Sequence, residues 1–206
     1  MTAHRSPAWI AGLALLPDLA AAHAFSSGAD QYAQFVEGTG VPLGAPAILL
    51  VALPLGVLIG LAGRDGMPLA WPGLLAGLVA GWLAGPLIGP EIALAATGVG
   101  AVLGTLGAVA PAQPRPALLA LSALAGALAM LVAIEGHGRW ELPVLIPLGI
   151  VLGVHLVVVL PAAVVSGALA CWPAPWMRIG WRVLASWIAA AAVIYLAFLW
   201  TGVPGG

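Results

Sequence analysis

The sequence contains very few charged residues and no lysine. Only 6% of its 206 residues are charged, and all six of its Lys and Arg residues are arginines. Soluble domains carry about 25% charged residues, so this composition is not typical of a water-exposed surface. With 63% hydrophobic residues and a mean hydropathy of +1.13, the chain is predicted to be an integral membrane protein.

Cysteine is also scarce, and several catalytic motifs are missing. The single cysteine, Cys171, excludes an internal disulfide framework and a Cys-rich metal site. The sequence has no phosphate-binding glycine loop with its lysine, no His-Glu-x-x-His pair and no serine nucleophile motif. We therefore expect no enzymatic activity and no permanently bound cofactor. A net charge of −1 gives no reason to expect nucleic-acid binding.

The amino-terminal segment is typical of a secretory signal peptide. Arg5 supplies the positive charge, residues 7–17 are apolar but too few to span a bilayer, and three alanines follow at 20–22. Cleavage after Ala22 would make His23 the new amino terminus. Two alternatives are cleavage after Ala24 and an uncleaved first helix. The preferred reading divides the chain into a signal peptide, residues 1–22, and a single membrane domain, residues 23–206.

Six apolar windows are long enough to cross a bilayer as helices, at 45–63, 69–88, 91–110, 116–135, 142–170 and 182–201. The segments between them carry the prolines, glycines and charges expected of turns. Because backbone groups inside a bilayer need internal hydrogen bonds, the windows predict an all-α bundle of six transmembrane helices.

The arginines predict how this bundle is oriented. With the mature amino terminus outside, the inner loops hold four arginines and the outer loops hold only Arg139. The carboxyl terminus is then also outside. The inner arginines are Arg64, Arg115, Arg178 and Arg182.

Glycines recur every four residues in four of the predicted spans. This spacing favours close helix packing, although a path lined by bare backbone is an alternative. The repeats are Gly73, Gly77, Gly81 and Gly85; Gly56 and Gly60; Gly100 and Gly104; and Gly149 and Gly153. Prolines at 54, 147 and 161 should kink their spans and free carbonyl groups.

The predicted outer face is acidic and carries histidines, which suits divalent transition metals such as nickel, cobalt, copper or zinc. The loop EGHGRWE places Glu135, His137 and Glu141 within seven residues. Its alternative interpretation is a polar turn in which Arg139 pairs with one of the two glutamates. His23 could bind a metal through its ring and terminal amine, provided that cleavage follows Ala22; otherwise it is an ordinary interfacial histidine.

Two further residues complete the predicted metal set. His155 lies about 13 residues into the fifth span, where an ionisable side chain generally has a function. It could be a ligand, a proton relay, or a neutral histidine hydrogen-bonded to Thr97, Thr105, Ser122 or Ser166. Glu91 opens the third span, either as a carboxylate at the positive end of the helix dipole or as a guard of an outer vestibule.

The junction AHAFSSG, the Gly/Ala-rich body, the EGHG turn and the closing segment with RVLASWIAA (182–190) resemble HupE/UreJ-type membrane proteins. The resemblance covers the layout of most of the chain. The first span lacks the His-Pro-x-x-Gly-x-Asp-His signature of the better-known members, so no ligand is carried over there.

That resemblance implies a nickel permease in the inner membrane of a bacterium, linked to hydrogenase or urease maturation. Transport of a transient divalent metal is therefore the first hypothesis. The second is a membrane accessory or scaffold subunit that does not transport and works beside a partner complex or as a homo-oligomer.

Overall fold

The computed structural model describes residues 30–85, 91–138 and 141–201, which are almost entirely helical. The signal peptide, its cleavage site and His23 lie outside this part of the chain. Seven helices follow one another: α1 (Gln31–Gly44), α2 (Pro46–Leu61), α3 (Gly66–Ala84), α4 (Ile92–Val109), α5 (Arg115–Ala133), α6 (Leu145–Cys171) and α7 (Pro175–Thr201). The all-α membrane bundle is confirmed, and five of these helices are long and apolar enough to cross a bilayer alone.

The sixth predicted span is a broken one. Helix α2 has only 16 residues, about 24 Å at the standard rise, which is shorter than the hydrocarbon core of a bilayer. It qualifies as a span only together with α1, from which it is bent by 79°. The bend lies at Ala45, whose backbone is extended.

Helix α1 was not among the predicted spans. Asp30 begins it as the N-cap, because its carboxylate accepts a hydrogen bond of 2.7 Å from the amide of Ala33. The helix then buries Gly38, Val41 and Pro42. A Cβ built at Gly38 would overlap the carbonyl of Ile146 on α6. Packing against α6 therefore stabilises a helix that contains two internal glycines and a proline.

The glycine repeats are packing contacts, as their spacing predicted. Along α3, a Cβ at Gly73, Gly77 or Gly81 would overlap the carbonyls of Leu119, Ala123 and Ala127 on α5. Similar contacts join α2 to α6, α4 to α2 and α7, and α6 to α1. In this conformation neighbouring helices occupy the space beside these glycines. The glycines therefore do not line an open path.

These contacts also give the helix directions. Gly56 meets Val158 and Gly60 meets Ala162, so α2 and α6 run in the same direction. Gly100 meets Leu50 and Gly107 meets Leu61, so α4 and α2 also run in the same direction. By the same test α3 and α5 are parallel, whereas α7 runs opposite to α4. Gly66 at the start of α3 packs against Ile59 near the end of α2, so the short connection turns the chain back and consecutive helices from α2 onwards alternate in direction.

Prolines act differently from one another. Pro54 and Pro161 lie inside α2 and α6, where each removes one helical hydrogen bond. Pro147 was expected inside a span as well, but it falls in the first turn of α6, which begins at Leu145. A first-turn amide has no helical acceptor, so Pro147 frees no carbonyl. The prediction of a kink at Pro147 is therefore wrong.

Charges separate to opposite ends of the bundle. We call the end at which α2, α4 and α6 finish the arginine end, because it carries Arg64, Arg115, Arg178 and Arg182. The opposite end, the carboxylate end, carries Asp30, Glu37, Glu91, Glu135 and Glu141. Asp65 is the one described carboxylate at the arginine end. The separation agrees with the charge pattern of the sequence, while the side of the membrane that each end faces stays a prediction.

Candidate metal-binding and transport residues

The turn after α5 is held by its own backbone and one glutamate. Gly136 has a φ of +79°, a conformation that glycine adopts without a Cβ clash. The amide of Gly138 donates to a carboxylate oxygen of Glu141 at 2.6 Å, and the amide of Glu141 donates to the carbonyl of Gly138 at 3.1 Å. Glu141 thus closes the turn locally. This is part of the polar-turn interpretation; its proposed ion-pair partner, Arg139, lies outside the described residues.

Glu135 and His137 belong to the same turn but play different parts in it. The His137 Nδ1 atom lies 3.1 Å from the carbonyl oxygen of Glu135, within hydrogen-bond distance. The Glu135 side chain is half-buried, and this burial raises the pKa of its carboxyl above the ordinary value. Burial therefore makes the charged form of Glu135, which is the form that binds a cation, less favourable than it is for an exposed glutamate.

Glu91 stands at the start of α4, where the sequence placed it. It is the N-cap residue and is exposed, and its side chain makes no capping hydrogen bond. A carboxylate at this position lies near the positive end of the helix dipole. In the part of the chain that the structure describes, no three His, Cys, Asp or Glu side chains come close enough together to hold a metal ion. Glu91, Glu135, His137 and Glu141, the predicted outer ligands that the structure describes, therefore share one end of the bundle without forming a cluster there.

His155 lies within the bundle, on the tenth residue after the start of α6, about 15 Å along the helix. Its Nδ1 atom is buried and has no hydrogen-bond partner. The imidazole meets the Trp71 indole of α3 edge to face, with ring centroids 6.2 Å apart and planes at 62°. An aromatic edge contact of this kind orients the ring but satisfies no ring nitrogen.

The four hydroxyl groups considered as partners for His155 are used elsewhere. Thr97, Thr105 and Ser122 each donate at 2.7–2.8 Å to the carbonyl four residues earlier in their own helix. Ser166 donates to the carbonyl of Ala163 at 3.3 Å. The structure gives none of these four hydroxyls a hydrogen bond to His155, and the Nδ1 atom of His155 has no partner among the described residues.

Two structural features of this region were not found from the sequence. The first is the break at Ala45 between α1 and α2. Next to this break, Pro42 packs against Gly153 of α6, which lies two residues before His155. The second is the Trp71–His155 contact, which has no local sequence signature. The break could have been suspected from the N-capping Asp30 and from Pro42 and Pro46, which bracket a non-helical residue.

No protein-family model, curated protein or solved structure matches the chain significantly.

Proposed function

We propose that this protein is a membrane permease for a divalent transition metal, with nickel as the expected ion. The observation that carries the proposal is the broken helix pair α1–α2, bent by 79° and packed on the helix that holds His155. In transporters, discontinuous helices expose backbone carbonyls near the middle of the membrane, where the substrate binds.

The chemistry around the break suits a cation. Pro42 lacks an amide hydrogen, so it cannot donate to the carbonyl four residues earlier, that of the buried Gly38. On the same helix α6, two residues after Gly153, the buried Nδ1 of His155 is an unused ring nitrogen. A neutral imidazole nitrogen is a good ligand for nickel, cobalt, copper and zinc, with carbonyl oxygens as additional donors. His155 would therefore be the intramembrane ligand.

The carboxylate end would collect the ion. Five described carboxylates lie there, whereas the four described arginines lie at the other end. A field of this sign raises the local concentration of cations and their rate of arrival. The half-buried Glu135 and the neighbouring His137 would be the first metal-binding groups on the route, with Glu91 and Glu141 nearby on the same end.

The test is uptake into vesicles that contain the purified protein. Ni²⁺, Co²⁺, Cu²⁺ and Zn²⁺ are supplied outside, and the ions inside are measured over time. We expect uptake with the wild-type chain and a loss of tenfold or more in the initial rate for His155→Ala. Ser166→Ala is the matched control, because it removes a polar group from the same helix. Uptake of all four ions at the rate of empty vesicles would contradict transport.

A second candidate function is supported by helix α7. Only Ala185, Ala189 and Ala192 are buried among its 27 residues, and large apolar side chains such as Trp187, Ile194 and Phe198 are exposed. Such a helix could also pack against a membrane partner, as an accessory or scaffold subunit would require. Co-purification of a stoichiometric partner after gentle solubilisation, together with vesicles that take up no metal, would favour this function. A solitary monomer or homo-oligomer that transports would contradict it.

A further inference from the structure

Arg182 is anchored at the arginine end by a hydrogen bond between two helices. Its Nε donates to the carbonyl of Ala108 at 2.6 Å. Ala108 lies in the last turn of α4, where carbonyl oxygens have no helical donor. The bond therefore caps α4 and holds the guanidinium in place. Of the five N–H donors of an arginine, four remain on the two Nη atoms, and the structure records no bond for them among the described residues.

The guanidinium lines an open groove of about 350 Å³. The groove is formed by Ala108 of α4 and by Ile179, Arg182, Val183 and Ser186 of α7. Ser186 donates its hydroxyl hydrogen to the carbonyl of Val183, which leaves its oxygen lone pairs as acceptors for a hydroxyl of a ligand. The remaining lining is apolar, and both Ile179 and Val183 are exposed. One groove thus combines a fixed cation with an apolar wall.

The groove lies where lipid headgroups meet the hydrocarbon. Arg182 bonds to the last turn of α4, so it lies level with the end of that apolar helix. Helix α7 extends seven residues further, from Pro175 to Trp181. Arg178, one turn before Arg182, is an exposed second cation on this extension. Asp65 is the only described carboxylate at this end of the bundle, so the surroundings favour an anion.

From this geometry we propose that the groove between α4 and α7 binds the headgroup of an anionic phospholipid, with the Arg182 guanidinium on its phosphate. An arginine presents two parallel N–H donors to a phosphate, and basic pockets between membrane helices are sites for acidic headgroups. The volume fits a phosphate and its glycerol but not a whole lipid. The acyl chains continue into the hydrocarbon past the exposed Val183. This inference does not depend on metal transport.

Native mass spectrometry of the full-length protein in detergent tests the proposal. Phosphatidylglycerol and phosphatidylcholine are titrated separately, and their dissociation constants are compared. We expect phosphatidylglycerol to bind more tightly, and Arg182→Gln to weaken it about fivefold, the effect of one arginine near an anionic headgroup. Arg64→Gln, which removes a charge at the same end outside the groove lining, is the matched control and should leave the preference unchanged.

A second variant keeps the test decisive if Arg182→Gln folds poorly. Val183→Phe fills the groove from an exposed position and leaves the bond from Arg182 to Ala108 intact, so it should weaken phosphatidylglycerol binding while the guanidinium remains. Inorganic phosphate and glycerol phosphate are tested last as competitors. Neither should displace phosphatidylglycerol at millimolar concentration. Equal binding of the two lipids, unchanged binding in both groove variants, or displacement of the lipid by inorganic phosphate would overturn the proposal.

Discussion

Helices α2 and α7 are both strongly apolar, but they occupy opposite environments. In α2, twelve of the 16 residues are buried, and the helix contacts every other helix of the bundle. In α7, only three of the 27 residues are buried, and all three are alanines. Large side chains such as Trp187 and Phe198 face outward. The same chemical type of residue therefore forms the centre of the bundle in one helix and its lipid-facing surface in the other.

This difference shows that hydrophobicity does not select the centre of a membrane bundle. Lipid chains are as apolar as leucine, so burying a leucine between helices gives no transfer free energy. Close backbone approach is what distinguishes α2. Gly56 and Gly60 admit the carbonyls of α6, and Gly100 of α4 admits the carbonyl of Leu50. The glycines that α7 approaches closely are Gly104 and Gly107 of α4, which its alanines meet.

The largest effect should come from a methyl group added at the centre. In Gly100→Ala, the new Cβ overlaps the carbonyl of Leu50, and a backbone carbonyl cannot move aside as a flexible side chain can. We expect a loss of about 3 kcal/mol in the free energy of unfolding, the upper range for overpacking. Reversible unfolding of the protein in mixed micelles with increasing SDS measures it.

Gly98→Ala is the matched control for this prediction, since it lies on the same helix with nothing within 4 Å of a new Cβ. It should change stability by about 1 kcal/mol or less, in the stabilising direction, because alanine favours a helix more than glycine does. Equal effects of the two substitutions would mean that α4 and α2 do not approach through Gly100.

A smaller loss is expected when a large side chain is removed from the centre. Leu55 is fully buried in α2, whereas Val193 on α7 is 56% exposed. Leu55→Ala should cost about 2 kcal/mol, at the low end for such truncations, because only the cavity term of the usual cost applies in lipid. Val193→Ala should cost less than about 0.5 kcal/mol. Thermal unfolding in one detergent compares them, and a larger loss from Val193→Ala would place α7 at a protein interface instead of in lipid.

The sequence predicted the middle of the chain well for a physical reason. Helices α3 to α6 begin and end within four residues of the predicted windows, because prolines, glycines and charges interrupt the apolar runs there. Glycine spacing predicted that α3 packs closely against a neighbouring helix, since in lipid small residues are the main signal for helix association; the structure shows that this neighbour is α5. The positions of the arginines between the predicted spans likewise predicted that positive and negative charges lie at opposite ends of the bundle.

The two ends of the described chain were predicted less well. Helix α1 has a mixed composition and no apolar run, and it forms because Gly38, Val41 and Pro42 pack against α6. Helix α7 begins at Pro175, seven residues before the predicted window. Proline favours a first-turn position, but the polar residues of these turns lower the hydropathy of any window that includes them.

The candidate site was predicted only as a set of positions. His155 and the residues of the EGHG turn could be identified from the sequence, because an ionisable residue inside a span and a polar turn are both local signals. The residues that surround them in the structure could not be identified from the sequence. The Trp71–His155 contact depends on how α3 packs against α6, and the direction of each glutamate depends on turn geometry such as the positive φ of Gly136. For the same reason, residues at one end of the bundle need not form a cluster.

The smallest effect should come from a buried hydroxyl at the centre. Thr97 is fully buried in α4 and donates to the carbonyl of Ala93 in its own helix. Thr97→Val keeps the shape of the side chain, and the carbonyl keeps its backbone donor, so the free energy of unfolding should change by about 0.5 kcal/mol or less. The SDS titration used for Gly100→Ala measures it. A loss above about 1.5 kcal/mol would mean that Thr97 bonds across helices, and that polar contacts as well as glycine packing distinguish the centre of the bundle from α7.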